Sequence, residues 1–365
     1  MDVLIPITVL FSILCYSQRR NEYNAKSNFI IAIIVLCALL SVRYEFGPDY
    51  FNYRNIYNGA QGEDLKDYTG AGSTMERPFL YLLQLFPSFT SFVCFLTVFW
   101  FSTNLYFITH HISPQYYWAV LLFMVFEPTY LLLSSVAMRT TLCASLFLIA
   151  LEFLLRGKRI IYILIIILAS MFHSSTIALI VFALITDKKN TFVFNTTICY
   201  IMGIVALISI VVGENVLIKN LSAFFIETIE DLDRYSNRKI GGVSQSFNSL
   251  LFKIMSFSIL LYINKSRNNI DEPKTIILNK IAIIAVLLQL FLGQSIVSDR
   301  FLSILNPVYI CAMLNSIKYN EKRINSIIFI FVVIVSVYMF YSKITKDYSS
   351  SFLVYHSVFS APFIP

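Results

Sequence analysis

The chain has 365 residues, of which 57% are hydrophobic and only 13% are charged, about half the charged fraction of an average soluble protein. A formal net charge of +7 could suggest nucleic-acid binding. Most lysines and arginines, however, lie in short turns between apolar segments, which is the distribution that orients membrane helices. Composition therefore excludes an ordinary soluble domain and predicts an all-α, polytopic membrane protein with no nucleic-acid partner.

Eleven apolar segments are long enough to span, or nearly span, a bilayer. We expect 11–12 transmembrane segments in a single integral membrane domain over residues 1–365. Two longer hydrophilic loops interrupt them, at 44–78 and 214–248. The apolar segments cover residues 3–17, 28–43, 88–109, 115–133, 137–155, 159–186, 194–213, 249–264, 275–295, 300–317 and 324–342.

The positions of the cations predict the orientation of these segments. Arg19 and Arg20 follow the first segment, and Arg156 and Lys158 follow the fifth. All four lie on one side if the first five segments alternate, and that side should be cytoplasmic. The hydrophilic loop 44–78 then lies outside the cell membrane.

The sixth apolar segment, 159–186, does not fit a single crossing, because every later loop would then carry its cations on the wrong side. If the chain turns back near residues 171–176, those cations become cytoplasmic and the loop 214–248 becomes external. We therefore expect a broken or re-entrant hairpin with His173 at its outward-facing tip. Each arm would be only about 21 Å long, so the tip would need protein or a water-filled cavity around it.

The connection after the second segment is chemically dense. Residues 47–48 are Gly-Pro, which should end the preceding helix and start a short one with Asp49 in its first turn. On this helix Tyr50, Tyr53 and Tyr57 would share one face. An aromatic face beside a carboxylate suits sugar rings; the alternative is an interfacial tyrosine belt with Asp49 as a helix cap.

Three arginines, Arg43, Arg139 and Arg300, are predicted on the external side, where the orientation rule disfavours cations. A phosphate-bearing substrate would explain them, because guanidinium makes bidentate, permanently charged contacts to phosphate oxygens. Each could instead reach lipid headgroups or pair with a neighbouring acid. Arg139 is the hardest to explain in that way, because no acid lies near it in the sequence.

His173 is either a hydrogen-bonded structural residue or a proton acceptor and donor, since imidazole can do both near neutral pH. No metal-ligand spacing, phosphate-binding loop, GxGxxG or Ser-His-Asp motif accompanies it. The six cysteines all lie within apolar segments, where thiols behave as small core residues. The sequence therefore predicts no metal and no cofactor.

Together these motifs resemble the EpsG-like branch of the Wzy polysaccharide (O-antigen) polymerases. Members of that family typically carry an Arg and a Gly-x-Asp-Tyr-x-x-Tyr motif after the second helix, an Arg that opens a later helix, a Phe-His-Ser motif, and an Arg before a late helix. Pro48 departs from this pattern, because a small hydroxyl residue is more usual there. The matching residues here are Arg43, 47–53, Arg139, 172–174 and Arg300, together with the tyrosine- and proline-containing tail 355–365.

The resemblance implies a metal-independent glycosyltransferase at the external, periplasmic face of the bacterial cytoplasmic membrane. Its substrate would be an oligosaccharide repeat unit linked to polyprenyl (undecaprenyl) pyrophosphate. Implied partners are membrane lipids and the flippase and chain-length regulator of the same pathway. A single displacement with one base would invert the anomeric centre. The expected roles are pyrophosphate binding (Arg43, Arg139, Arg300), deprotonation of the acceptor hydroxyl (His173 or Asp49) and orientation of the sugar (Tyr50, Tyr53).

Two other functions fit some of the same features. A flippase for lipid-linked oligosaccharides would also contact a pyrophosphate. It should, however, carry cations along a central cavity, whereas the arginines here are predicted on the external side. A membrane acyltransferase that modifies a polysaccharide would need polar groups crossing the bilayer, which the sequence lacks.

Overall fold

The computed structural model describes residues 2–47, 49–61, 76–127, 130–185, 273–292, 296–317 and 355–359, with the single residues 334 and 337. Regular structure in this part of the chain is helical. Its α-helices are α1 (Leu4–Ser17), α2 (Glu22–Ser41), α3 (Tyr50–Ala60), α4 (Arg77–Gln84), α5 (Phe89–His111), α6 (Tyr117–Phe126), α7 (Leu131–Val136), α8 (Met138–Leu155), α9 (Arg159–Ser170), α10 (Pro273–Leu292) and α11 (Ile296–Ile317). Two 3₁₀ helices, Pro114–Tyr116 and Ser174–Leu184, complete the set.

These helices agree with an all-α membrane protein. By length and composition, three helices in the described part could cross a membrane, namely α2, α5 and α8. The predicted segments 194–213 and 249–264 and the loop 214–248 lie outside the described residues, as does nearly all of 324–342. The number of membrane crossings therefore stays a prediction.

One predicted segment, 115–133, is divided in the structure. Helix α6 ends at Phe126, and α7 begins only at Leu131. Glu127 has an extended backbone with ψ of 106°. The cause is the following Pro128, whose ring disfavours helical geometry in the residue before it.

Contacts near their C-termini show that α5, α8 and α11 run in the same direction. His111, the last residue of α5, pairs with Glu152 near the end of α8. Asn315 of α11 donates a hydrogen bond of 2.8 Å to the carbonyl of His111. These three residues define what we call the His111 end of the helix bundle.

The opposite end, which we call the Arg139 end, is defined by the start of α8. Helix α2 runs towards it, because Arg43, just after α2, donates a hydrogen bond of 2.6 Å to Thr97 in the early part of α5. Arg43 also donates to the carbonyl of Ser135, close to the start of α8. The end of α2 and the beginnings of α5, α8 and α11 therefore lie at the same end of the bundle.

The sixth apolar segment forms a hairpin. Helix α9 ends at Ser170, and His173 has an extended backbone that begins the 3₁₀ helix Ser174–Leu184. The hydroxyl of Tyr162 donates a hydrogen bond of 2.5 Å to the carbonyl of Leu179, although a continuous helix would separate these residues by about 25 Å. The chain therefore folds back near His173, which confirms the predicted break.

Residues 355–359 lie against the segment that follows α2. A β-bridge pairs Arg43 with Ser357, and a backbone hydrogen bond of 2.9 Å flanks it on each side. The Tyr355 hydroxyl also donates to the carbonyl of Leu39. The C-terminal tail thus holds the connection that leads from α2 to α3.

We expect Tyr355→Phe to lower the free energy of unfolding by about 1 kcal/mol, because it leaves the Leu39 carbonyl without this donor. Ending the chain after residue 354 removes residues 355–359, which we call the C-terminal strap, and should cost more. Thermal melting in detergent, followed by size-exclusion chromatography, measures both effects. Tyr23→Phe is the matched control, since that tyrosine is 82% exposed. Wild-type melting of the truncated chain would contradict the strap role.

Candidate active site

Glu76 brings together three separate parts of the chain. It occupies the N-cap position of α4, and its Oε2 forms an ion pair with Arg139 of α8. Its Oε1 accepts a hydrogen bond of 2.8 Å from the backbone N–H of Ser174. The same oxygen lies 3.7 Å from Nδ1 of His173, an ion-pair distance that is too long for a hydrogen bond. The side chains of Glu76, Arg139 and His173 are only 16%, 13% and 15% exposed.

The surroundings of Glu76 keep its carboxylate ionised. Burial by itself raises the pKa of Glu76, but the nearby His173 ring, the positive charge of Arg139 and the backbone N–H of Ser174 outweigh burial. The pKa of Glu76 falls from 4.5 to about 2. At neutral pH the cluster therefore contains a fixed negative charge beside a guanidinium and an imidazole.

Two nitrogen atoms in this cluster are buried without a hydrogen-bond partner among the described residues, Arg139 Nε and His173 Nδ1. Buried polar atoms are nearly always hydrogen-bonded in folded proteins. Both atoms belong to residues singled out from the sequence, and both lie beside the same carboxylate. An unmet hydrogen-bonding capacity of this kind is typical of a site that binds a polar ligand.

The tyrosine face of α3 is buried. Tyr50, Tyr53 and Tyr57 are 3%, 7% and 6% exposed and belong to an apolar cluster with α4 and the start of α5. The Tyr57 hydroxyl donates to the carbonyl of Phe86 at 2.8 Å, while the side chain of Tyr53 is a hydrogen-bond partner of Arg139. The predicted face exists, and its rings fill the space between helices.

Asp49 occupies the N-cap position of α3, and its side chain makes no capping hydrogen bond. It is partly exposed. Its backbone carbonyl accepts a hydrogen bond of 3.0 Å from Tyr53, so Asp49 lies one helical turn from the tyrosine that reaches Arg139.

Arg43 is 2% exposed and donates hydrogen bonds to the Leu40 carbonyl, the Thr97 hydroxyl and the Ser135 carbonyl. Its Nε is buried without a hydrogen-bond partner among the described residues. A small, mostly apolar cavity beside it includes Thr141 in its lining, whereas the Glu76 cluster does not line it. Arg43 and the Glu76 cluster are therefore separate features of the Arg139 end.

Arg300 lies in the second turn of α11, and its side chain lies outside the described part. Eleven residues separate it from Cys311, whose thiol contacts the His111 carbonyl; along a helix this is about 17 Å. Thirteen residues separate Arg139 from Glu152 at the same end, or about 20 Å. The backbones of Arg300 and Arg139 thus lie at similar levels in the bundle.

The sequence model of the EpsG family matches residues 27–357, which include the Glu76 cluster and residues 355–357 of the C-terminal strap. The chain belongs to the EpsG family. Comparisons with curated proteins and with solved structures find no match. Membership in the EpsG family makes this a membrane protein of the polymerase type that acts in polysaccharide biosynthesis.

In this EpsG-family protein, the residue that sequence reasoning missed is Glu76. It is 63 residues from Arg139 and 98 from Ser174 along the chain, so no local spacing links it to either. The available signal was an acid directly before Arg-Pro, a sequence that often starts a helix. Acids are common at that position for capping alone.

Glu76 should make stability depend on pH. Because its folded pKa of about 2 lies below the ordinary value of 4.5, its contribution is complete above pH 4.5 and is lost as the pH falls through 2. That contribution is about 2–3 kcal/mol. Glu76→Gln should therefore lower the melting temperature at pH 7 and flatten the dependence of melting on pH between 5 and 3.

Melting in detergent across that pH range measures the effect, with Glu22→Gln as the control. Glu22 is exposed in the first turn of α2, at the other end of the bundle. A Glu76→Gln protein that melts like wild type at pH 7 would contradict the role of the ion pair.

Proposed function

We propose that this protein is a repeat-unit polymerase, a glycosyltransferase that joins oligosaccharides linked to polyprenyl pyrophosphate. The observation that carries the proposal is the placement of Arg139 and His173 on either side of the Glu76 carboxylate in an EpsG-family membrane protein. One is a cation suited to a phosphate leaving group. The other is a side chain that can accept a proton.

The proposed step is a single displacement at the anomeric carbon of the donor. A terminal hydroxyl oxygen of the acceptor repeat unit forms a bond to that carbon, and its proton passes to His173. The bond between the anomeric carbon and the phosphate oxygen breaks, and polyprenyl pyrophosphate leaves with the electron pair. Arg139 neutralises the charge that develops on the leaving group. One displacement inverts the anomeric centre.

Arg300 is the second proposed pyrophosphate ligand. Its support is the parallel packing that puts its backbone at the level of Arg139. The hydrogen bonds of Arg43 are made to α2, α5 and α7, so we assign it to helix packing at the edge of the site. Asp49 is the alternative base at the rim. Tyr53 would act by supporting Arg139.

We place the reaction at the external face of the bacterial cytoplasmic membrane. The support is the sequence distribution of cations, which puts Arg19, Arg20 and Arg156 in the cytoplasm. Arg156 lies at the His111 end, so the Arg139 end would face outwards. The donor and acceptor repeat units would arrive there after translocation by a flippase, and a chain-length regulator would be the natural partner of the product.

We expect Arg139→Ala and His173→Ala to replace long polymer by single repeat units at matched protein levels. General-base and leaving-group assistance are each worth on the order of 100-fold or more in rate. Gel analysis of the polysaccharide from a deletion strain carrying each variant measures chain length. Arg156→Ala and His110→Ala, both at the His111 end, are the matched controls. Asp49→Ala tests the alternative base in the same assay.

Three results would contradict the proposal. A normal length distribution in both site variants would remove the proposed site. Failure of lipid-linked repeat units to reach the outer face in the deletion strain would identify a flippase instead. Unchanged chain length with loss of acyl groups would identify an acyltransferase.

A further inference from the structure

We propose that Glu76 is a positioning residue for His173: it holds the imidazole with Nδ1 towards the carboxylate, so that Nε2 is free to take the proton of the acceptor hydroxyl. This inference rests on the proposed polymerase function and adds a residue that the sequence did not single out. It also selects His173 over Asp49 as the base.

The geometry at the hairpin tip supports this role. His173 Nδ1 is buried and has no hydrogen-bond partner among the described residues, and Glu76 Oε1 is 3.7 Å away. A movement of about 1 Å would bring the two atoms to hydrogen-bond distance, and catalytic hydrogen bonds often shorten only when substrate is bound. A hydrogen on Nδ1 that points to a carboxylate leaves Nε2 with its lone pair.

A backbone hydrogen bond also holds the Glu76 carboxylate beside His173. Glu76 Oε1 accepts the N–H of Ser174 at 2.8 Å, the residue directly after His173. The carboxylate is thereby attached to the same turn of chain that carries the imidazole, so the two groups are held together on the hairpin tip.

Glu76 is poorly suited to act as the base itself. Its pKa of about 2 means that its carboxylate binds a proton weakly, and both of its oxygens already have partners, Arg139 on one side and Ser174 on the other. A carboxylate in this setting orients an imidazole and balances the positive charge that the imidazole acquires. The same carboxylate keeps Arg139 beside the point where the leaving group would sit.

Asp49 lacks this support. Its side chain makes no capping hydrogen bond and is partly exposed at the start of α3. A base must be held at a defined position relative to the hydroxyl that it deprotonates. The structure provides such restraint for His173, through Glu76, and provides none of this kind for Asp49 among the contacts of the described residues.

The test uses the purified full-length protein in proteoliposomes and lipid-linked repeat units extracted from the deletion strain. We expect Glu76→Gln to lower kcat by about tenfold or more while the KM for the lipid-linked donor changes less, because ring orientation acts on proton transfer. Glu76→Asp retains the charge and should recover part of the loss. Glu22→Gln is the matched control.

The double variant separates positioning from a general structural effect. If Glu76 acts through His173, adding Glu76→Gln to His173→Ala should lower kcat no further than His173→Ala alone. Equal losses in both backgrounds would overturn the proposal and assign Glu76 to Arg139 or to folding. If Glu76→Gln does not yield a monodisperse protein, the same comparison is made with Glu76→Asp.

The outcome also distinguishes this inference from the proposed function. If wild-type protein forms no polymer from the extracted repeat units, the polymerase function fails. If wild-type protein polymerises and Glu76→Gln keeps wild-type kcat, only the positioning role fails. If Asp49→Ala abolishes turnover while His173→Ala does not, the base has been assigned wrongly and the role of Glu76 falls with it.

Discussion

The Arg139 end depends on one buried carboxylate. A mostly buried guanidinium needs a counter-charge, because removing an ion from water costs several kcal/mol unless partners replace the water. Glu76 supplies that charge to Arg139, and it also ties down the hairpin through the N–H of Ser174. Helix α4, the start of α8 and the tip of the hairpin are thus joined by two oxygen atoms. The positions of Arg139 and His173 relative to each other follow from this link.

The His111 end of the bundle also contains a glutamate with a histidine and an arginine beside it, but their pairing differs. Glu152 lies between His111 and Arg156, much as Glu76 lies between His173 and Arg139. There, however, the imidazole makes close contact with its carboxylate, and Arg156 is half exposed and bonded to the Tyr106 hydroxyl. Around Glu76, by contrast, Arg139 Nε and His173 Nδ1 are buried without a hydrogen-bond partner among the described residues. The two groups therefore differ in how fully the histidine nitrogen that faces the carboxylate is paired.

The aromatic face of α3 shows how packing decides between interpretations that share one sequence pattern. Tyrosines at positions i, i+3 and i+7 form the same stripe on a helix whether they meet sugar, lipid or protein. Helix α4 carries its own apolar face and contributes Phe79 to the cluster that covers Tyr50 and Tyr53. Because these rings are buried against protein, they are part of the protein core. The polar contribution of α3 is then the Tyr53 hydroxyl, which is directed at Arg139.

The sequence alone determined the class of protein and the break in the sixth apolar segment, and it singled out Arg139 and His173 as candidates. Composition, the sides on which cations lie and the family motif are all local or additive properties of a chain. The tertiary structure decided the rest. It selected Glu76 as their common partner and placed Arg43 in a network of protein hydrogen bonds. These outcomes depend on contacts between residues 54 to 98 positions apart, which no periodicity or spacing in the sequence encodes.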